Sequence, residues 1–388
     1  MKTNKYFVDL HIHIGRDKYG KPVKITASNN LSLENIIEEA KIKKGIDMIG
    51  VIDAHTPAFI EEMHSYINNK KALELAEGGI EIDNVCLILG SEVEIYDHNC
   101  KGPIHVLCYF PTLKSMDQFS RWLSERVTNI NLSSQRYYGS AIDLQHKVKD
   151  LKGLFIPAHI FTPFKSLYGK GVKKSLIEVL DPGKIDAVEL GLSSDTTMAE
   201  QIEELETYSF LTNSDAHSLG KIAREYQQIS MMNCNFKELA MALKQTSGRK
   251  VEVNYGLNPL LGKYYNSVCK NCLSDNITDS SCNDCGRSGI IKGVAKRIQE
   301  ISNSSVTPVK RPPYIHQVPL DFLPGLGPKT LQKLLKHFGT EMHVLHYVSY
   351  SDLKSIIGER LASAIIMMRE GKLEIKSGGG GRYGKINK

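Results

Sequence analysis

The first 255 residues alternate short apolar runs with amphipathic helical stretches, and few folds are compatible with that alternation. Seven runs have the β-branched composition of strands, at 7–13, 48–53, 86–91, 104–110, 154–158, 187–190 and 210–212. Residues 33–44 have the apolar spacing of a helix, and residues 200–208 and 236–245 have similar patterns. This order of elements predicts an α/β barrel or a doubly wound sheet.

Histidines and carboxylates begin or end most of these apolar runs. The first run contains His11 and His13, which project from one face of a strand because side chains alternate along it. Two imidazoles placed in this way suit a divalent metal. The other polar residues at run boundaries are Asp53, His55, Glu92, His105, His159, Asp215 and His217. A structural role in the core explains any single histidine of this set equally well. Their recurrence predicts a metal centre, because strand ends converge on one mouth of a barrel.

The motif order DLHIH, GVIDAH, LGSEVE, IHVLCYF, PAHIF and NSDAHS resembles the polymerase and histidinol phosphatase (PHP) family. The resemblance implies a distorted seven-stranded (β/α) barrel that hydrolyses phosphate esters with two or three divalent metal ions. It also implies the ligands of the first two ions: His11, His13, Glu92 and Asp215 for one, and Glu92, His105 and His159 for the other. A third ion would take His217 together with residues of the first two loops.

The sequence departs from the family pattern at the third ion. Asp17 follows His13 by four residues, where the family usually has an aspartate or histidine five or six residues on, and Asp53 is separated from His55 by an alanine. The choice of ligand among Asp17, Asp53 and His55 is therefore open. Histidine and carboxylate ligands favour zinc or manganese over magnesium. Because no side-chain nucleophile with an adjacent base is evident, we expect water activated at the metal centre to attack the phosphate.

Four cysteines form a second metal motif further along the chain. Their spacing, two pairs of two intervening residues separated by nine, is that of a closed zinc site: Cys269, Cys272, Cys282 and Cys285. The motif predicts one structural zinc; the alternative is a redox dithiol. Lys270 and Arg287, which lie beside the cysteines, are candidates for contact with a phosphate backbone. The other four cysteines fit small buried residues of a protein in a reducing cytoplasm.

Two helical hairpins are predicted in the basic C-terminal third. Residues 256–388 carry 19 Lys and Arg against 10 Asp and Glu, a net charge of +9 in a chain of +6, so residues 1–255 carry −3. Residues 320–338 contain the glycine turn Gly325-Leu326-Gly327, and a weaker copy at 353–366 turns at Gly358. These segments resemble the helix-hairpin-helix motif, whose glycine turn offers backbone N–H groups to DNA phosphates. Lys329 and Lys333 would add charge, whereas the alternative is an ordinary α-hairpin.

A PHP core, a four-cysteine ribbon, paired hairpins and the tail GGGGRYGKI together resemble the endonuclease Q family. The resemblance implies an endonuclease that repairs DNA by cutting on the 5′ side of a deaminated base (hypoxanthine, uracil or xanthine) or an abasic site. The alternatives are a PHP 3′-exonuclease, a phosphatase of the histidinol-phosphate type and a non-catalytic DNA-binding scaffold. We expect a barrel at 1–255, a zinc segment at 256–301, a linker at 302–315 and the helical region with its glycine-rich tail at 316–388.

Damaged double-stranded DNA is the expected partner, and single-stranded DNA is a further candidate. A sliding clamp is possible, but no motif for it is evident. The loop 161–170 follows His159 and offers Phe164 and Tyr168 for stacking on a displaced base, and Lys165 or Lys170 for a phosphate. No signal peptide or apolar run long enough to span a membrane is present, so a cytoplasmic location is expected.

Overall fold

The computed structural model describes residues 3–278, 280–302, 310–373, 375–377 and 382–386. Most of the predicted linker (303–309) and the glycine run 378–381 lie outside the described residues. The strands of the N-terminal part are β1 Asn4–Ile12, β2 Met48–Val51, β3 Leu73–Glu74, β4 Ile80–Ile82, β5 Val85–Ile95, β6 Ile104–Phe110, β7 Arg136–Tyr137, β8 Leu154–Pro157, β9 Ala187–Glu189, β10 Ser209–Leu211, β11 Tyr226–Met231 and β12 Lys250–Gly256. Each of the seven predicted strands corresponds to one of these.

One curved mixed sheet dominates this part. Its main path runs β12-β11-β1-β2-β5-β6-β8, with β1, β2 and β5 parallel and the other pairs along it antiparallel. The parallel pair β9–β10 continues from β8, where the Asp186 amide donates to the Phe155 carbonyl at 3.0 Å. A bridge between Ala216 and Ile12 returns the chain to β1. The mixed α/β class is confirmed, and the strand count of the barrel stays a prediction.

Most of the helices cover the outside of the sheet. They are α1 Leu33–Glu38, α2 Pro57–Asn68, α3 Leu113–Ser124, α4 Ala141–Asp150, α5 Thr196–Ala199 and α6 Phe236–Leu243. The predicted helix 33–44 begins at the Ser32 cap and continues beyond α1 as a π-helical turn, Glu39–Lys44. A second apolar cluster, which includes Leu10, Leu107 and Tyr109, packs inside the sheet. The strands are therefore buried on both sides, as their nearly continuous apolar sequence requires.

The helix predicted at 200–208 is wrong. The structure has only the short α5 before it and a single 3₁₀ turn, Glu203–Leu205. The buried side chains of this segment are Ile202, Leu205 and Tyr208, which repeat every three residues. That period matches a 3₁₀ turn, which has three residues per turn, and does not maintain an α-helical face.

The remaining elements belong to the four-cysteine segment or follow it. They are β13 Val268–Cys269, β14 Ile290–Ile291, α7 Val294–Ile301, β15 Tyr314–His316, α8 Pro328–Phe338, α9 Glu341–His346, α10 Tyr350–Ile357, α11 Glu359–Arg369, β16 Ile375–Lys376 and β17 Lys385–Ile386. Pro328 occupies the first turn of α8, as its fixed φ favours. Gly325 (φ +94°) and Gly358 (φ +81°) have the left-handed backbone that suits glycine at these turns. No helix in the described ranges is long and apolar enough to cross a bilayer.

The helical region packs against the strands. The His346 ring stacks on Phe7 with centroids 4.8 Å apart, and Tyr226 Oη lies 2.7 Å from His346 Nε2. Lys44 donates to Glu341 Oε1 at 2.9 Å in a buried ion pair. The C-terminal helices therefore share one apolar core with the outer face of the sheet.

Candidate metal centre

All seven predicted metal ligands converge at one end of the sheet. They come from five parts of the fold: His11 and His13 at the end of β1, Glu92 in β5, His105 in β6, His159 after β8, and Asp215 and His217 after β10. The end of β1 is fixed to the last loop, because the His13 amide donates to the Ala216 carbonyl and the Ala216 amide to the His11 carbonyl, both at 3.1 Å.

The first group of donor atoms has the spacing of a coordination shell. His11 Nε2 lies 3.6 Å from Glu92 Oε1 and 3.4 Å from Asp215 Oδ1. His13 Nε2 lies 3.7 Å from Glu92 Oε2 and 3.5 Å from Asp215 Oδ1. Donors arranged tetrahedrally at about 2.1 Å from an ion are roughly 3.4 Å apart. Both Nε2 atoms are buried without a hydrogen-bond partner. The residues therefore fit a divalent cation.

A second group shares Glu92 with the first. Glu92 Oε1 lies 2.7 Å from His105 Nδ1 and 3.4 Å from His159 Nε2. His105 Nε2 is also buried without a hydrogen-bond partner, 3.7 Å from Glu94 Oε2. The Glu92 carboxylate therefore lies between both groups, where it could bridge two ions.

A third group contains His13, Asp215 and His217. His217 Nδ1 lies 3.4 Å from Asp215 Oδ1, and the ring of His217 contacts that of His13 at a centroid distance of 4.5 Å. Three donors leave room for water or a substrate oxygen.

None of the three candidates for completing this third group lies in the cluster. The Asp17 carboxylate instead accepts hydrogen bonds from the backbone amides of Tyr19 and Lys21 at 2.9 and 2.8 Å, so it stabilises the loop that contains it. Nδ1 of His55 is hydrogen-bonded to Ser91 Oγ at 2.9 Å, and burial lowers the pKa of His55. Neither residue belongs to the donor groups, because Asp17 binds amides of its own loop and His55 contacts Ser91 of β5, and a ligand role for either stays a prediction.

Asp53 contacts a ligand without joining the cluster. Its Oδ2 accepts the Ile14 amide at 2.7 Å and lies 3.1 Å from His13 Nδ1. Burial alone would raise the pKa of Asp53, but His13 and Lys24 outweigh it and hold the value at about 2. A charged carboxylate on Nδ1 leaves Nε2 of His13 directed at the metal group.

Glu189 has the corresponding role at His11 and was missed by the sequence analysis. Its carboxylate oxygens lie 3.0 and 3.1 Å from His11 Nδ1 and accept the amide of His159 and the side-chain amide of Asn213, both at 2.9 Å. Glu189 thus holds ligands of both groups. The available signal was a lone carboxylate within the apolar run 187–190.

Carboxylates and imidazoles in the cluster shift one another's pKa values strongly. Burial lowers the pKa of His11, but Glu189, Asp215 and Glu92 together raise it to about 10. The same opposition holds at Asp215, where burial raises the pKa but His11 and the other histidines keep it well below its usual value. A divalent cation would take the place of the protons that these carboxylates favour on the histidines.

Two proposed ligands have strained backbones. His159 has φ +31° and Asp215 has φ +46°, values that residues with a side chain rarely adopt. Such strain costs on the order of 1–3 kcal/mol and persists where surrounding contacts impose it. At both positions it directs a side chain toward the cluster.

A cavity of about 730 Å³ opens above the donor atoms. Its wall combines aromatic and cationic side chains with the ligands: Lys24, Phe164, Lys165, Lys221, Arg224, Lys263, Tyr264 and Tyr383. Lys24 Nζ lies 3.1 Å from Glu92 Oε2, next to the metal groups. This mixture suits a phosphate and an aromatic ring.

Tyr383 is a second residue that the sequence analysis missed. Arg224 donates to Tyr383 Oη at 2.7 Å and, through Nε, to the Ser214 carbonyl at 2.7 Å. Lys263 Nζ lies 4.6 Å from the centre of the Tyr383 ring. The C-terminal segment therefore reaches the loop that carries Asp215.

The predicted DNA-contacting residues fall into two groups. Phe164 is 51% exposed at the cavity mouth, 5.6 Å from the Tyr264 ring, and Lys170 is exposed. Tyr168 is fully buried, with its hydroxyl on Glu204 at 2.8 Å, so its predicted stacking role is wrong. The predicted residues of the hairpins are all exposed: Gly325, Gly327, Lys329, Lys333 and Gly358. Lys333 Nζ donates to the Ile356 carbonyl, which links α8 to α10.

The four cysteines form the second cluster. Cys269 Sγ lies 3.6 Å from Cys285 Sγ, Cys272 Sγ lies 3.5 Å from Cys282 Sγ, and all four sulfurs are within 4.8 Å of one another. A single group of four sulfurs fits a tetrahedral zinc better than a redox dithiol.

No protein-family model matches the chain. It is 54% identical over 383 residues to the uncharacterized protein YqxK of Bacillus subtilis (strain 168), covering 98% of this chain and 99% of that one. Among solved structures, it is similar to the lesion-specific endonuclease PfuEndoQ of Pyrococcus furiosus, with a TM-score of 0.85, 32% identity and coverage of 99% of this chain and 95% of the other. An endonuclease Q complex with a 27-mer duplex, which has an abasic lesion at the active site, matches with the same TM-score and identity, covering 99% of this chain and 96% of the other.

Proposed function

Because the chain belongs to the endonuclease Q family, we propose that it is a metal-dependent DNA-repair endonuclease. It cuts the phosphodiester on the 5′ side of a deaminated base (hypoxanthine, uracil or xanthine) or an abasic site. The observation that carries the proposal is the set of donor side chains formed by the buried His11, His13 and Glu92 and the partly exposed Asp215, in which the Nε2 atoms of both histidines have no hydrogen-bond partner.

The donor set suits two or three ions of zinc, manganese or magnesium. When bound, such ions lower the pKa of a water, orient the phosphate and neutralise charge on the leaving oxygen. His11, His13, Glu92 and Asp215 would hold one ion, and Glu92 with His105 and His159 a second. His217 would contribute to a third, with His13 and Asp215.

The surrounding side chains orient the ligands and bind the substrate. Glu189 and Asp53 fix the rings of His11 and His13 through their Nδ1 atoms. Lys24 supplies a cation beside Glu92 for a non-bridging phosphate oxygen. Phe164 is free at the cavity mouth to stack on a nucleotide that has left the duplex, a displacement that costs least at a damaged position.

Two accessory parts would hold the DNA. Helices α8 and α11 begin after the exposed Gly327 and Gly358 and offer their first backbone N–H groups to phosphates, and Lys329 adds charge beside the first turn. The cysteine segment, closed by one structural zinc, is too small to fold on a core of its own. In this assignment residues 1–255 cleave the DNA, and residues 256–301 and 316–388 bind it.

Cleavage of a labelled duplex series tests the proposal. Undamaged, uracil, hypoxanthine, xanthine and abasic duplexes are incubated with protein reloaded with zinc, manganese or magnesium after chelation, and the cut position is mapped. We expect cuts 5′ of the lesion and none in the undamaged duplex. Nicking of closed circular DNA that carries a lesion would separate this activity from an exonuclease. Failure to cut any lesion duplex with any of the metals would overturn the proposal.

A further inference from the structure

A second cavity, about 690 Å³, lies between the barrel and the cysteine segment. Its walls come from three places: the loop after β5, the loop after β8, and the segment from Lys270 to α7. The cationic side chains that line it are Lys101, Lys170, Lys173, Lys270, Lys292 and Arg297. No carboxylate is among the described residues that line it. We call it the basic cleft.

Two of these cations already have partners, and one of them, Arg297, holds the walls together. Arg297 Nε donates to the Tyr168 carbonyl at 2.7 Å, and Nη2 donates to the Val172 and Lys173 carbonyls at 3.1 and 2.8 Å. Lys292 pairs with Glu300 at 2.6 Å. Arg297 therefore fastens the helix after the cysteine segment to the barrel loop and gives the cleft a fixed shape.

The other four cations are less constrained, although Lys101 interacts electrostatically with the Glu178 carboxylate. Lys101, Lys170, Lys173 and Lys270 are exposed, and none forms an ion pair within the described ranges. Elsewhere on the surface, lysines such as Lys18 and Lys237 do pair with glutamates. Positive charges around one concave surface repel one another, and a polyanion that enters the cleft would relieve that repulsion.

The basic cleft adjoins the metal centre. Phe164 lines both cavities, and the next residue, Lys165, pairs with Glu94 at 2.8 Å, beside the ligand His105. An anion that extends along the cleft would therefore reach the cavity above the donor atoms. Apolar contacts from Phe164, Ile290 and Ile291 suit the sugars of a nucleic acid strand more than a small free anion.

We propose that the basic cleft holds the DNA backbone beside the scissile phosphate, with Lys170, Lys173 and Lys270 as its phosphate contacts. This assigns part of the DNA-binding surface to the junction of barrel and cysteine segment, in addition to the helical hairpins. The inference rests on the proposed function, because it takes DNA as the substrate.

A charge-matched comparison tests the cleft. One full-length variant carries Lys170→Gln, Lys173→Gln and Lys270→Gln; its control carries Lys70→Gln, Lys114→Gln and Lys244→Gln, which remove the same charge from exposed lysines that line neither cavity. The affinity for an abasic duplex is measured at several salt concentrations. The logarithm of the binding constant falls linearly with the logarithm of the salt concentration, and each lost phosphate contact makes that slope shallower by about 0.9. We expect the cleft variant to have a slope shallower by about 2 to 3, and the control to match the native protein.

Hydrolysis of bis-p-nitrophenyl phosphate by the metal-loaded proteins separates the two proposals. The cleft variant keeps every proposed metal ligand, so we expect it to retain the native metal content, and the rate of hydrolysis is compared among the native protein, the cleft variant and the control. Equal salt slopes for the cleft variant and the control would overturn the cleft assignment. DNA binding with the expected slopes but no lesion cleavage by the native protein would overturn the nuclease proposal and leave the cleft as a nucleic-acid site.

Discussion

Glu189 shows how residues outside the metal groups determine what the ligands can do. It offers no atom to the cluster, yet it fixes the His11 ring and the His159 backbone. We expect Glu189→Gln to lower metal affinity and phosphodiesterase rate by about 10- to 100-fold, as loss of a partner that orients a ligand does. Asp215→Ala should abolish cleavage, because a ligand is lost. Metal content and bis-p-nitrophenyl phosphate hydrolysis are the measurements.

Glu204→Gln is the matched control for Glu189→Gln. Glu204 is a partly buried carboxylate that accepts from Tyr168 and does not belong to the metal groups. If Glu189→Gln and Glu204→Gln have the same metal affinity as the native protein, the orienting role of Glu189 is wrong.

Tyr383 tests whether the C-terminal segment belongs to the active site. Its ring lines the cavity and its hydroxyl accepts from Arg224. We expect Tyr383→Ala to raise KM for a lesion duplex by about 5- to 100-fold, the loss of one stacking contact, with hydrolysis of the small diester unchanged. Tyr383→Phe keeps the ring and should stay within a few-fold of native. An unchanged KM in Tyr383→Ala, matching a Tyr350→Ala control on α10, would show that the ring only packs.

The seven proposed ligands could be found from the sequence because each begins, ends or follows an apolar run, and strand ends meet at one edge. Glu189 escaped because it lies within such a run, where a single carboxylate resembles a solvent-facing strand residue. Tyr383 escaped because the sequence shows only a glycine-rich tail, and its contact with Arg224 spans 159 residues. The third ion's ligands could not be chosen because local loop bonds decide whether Asp17 faces the cluster.

At the scale of elements, the cysteine segment depends on its metal more than on packing. Strands β13 and β14 have two residues each, and Cys272 and Cys285 are exposed. We expect Cys282→Ser to lower zinc content by about one ion per chain and to open the segment to proteolysis. Cys234→Ser, which changes a cysteine outside the cluster, should keep the zinc. Full zinc and full protease resistance in Cys282→Ser would contradict the four-thiolate site.

At the scale of the whole molecule, the charge division suggests a body that cuts and a separable part that binds, but the packing joins them. Lys44 and Glu341 form a buried ion pair between the barrel and α9, and Phe7, Tyr226 and Tyr255 all contact His346. Deleting the helical region would uncover these aromatic rings and leave the Lys44 charge without a partner. A binding test by truncation would therefore also measure loss of stability.

We expect a chain ended after residue 302 to unfold at a clearly lower temperature than the full-length protein, and to aggregate. Loss of one partner from a buried pair costs about 3–5 kcal/mol, and the uncovered apolar surface adds to it. Full-length Glu341→Gln isolates the first contribution and should lie between the two in thermal stability. The variants are compared by calorimetry in the zinc-loaded state. A truncated chain as stable as the full-length protein would show that the barrel folds independently.

DNA binding by the hairpins could then be measured directly by removing them. If the truncated chain is unstable, as expected, Lys329→Gln in the full-length protein is the appropriate variant, because Lys329 is exposed at the first turn of α8 and its loss leaves the shared core intact.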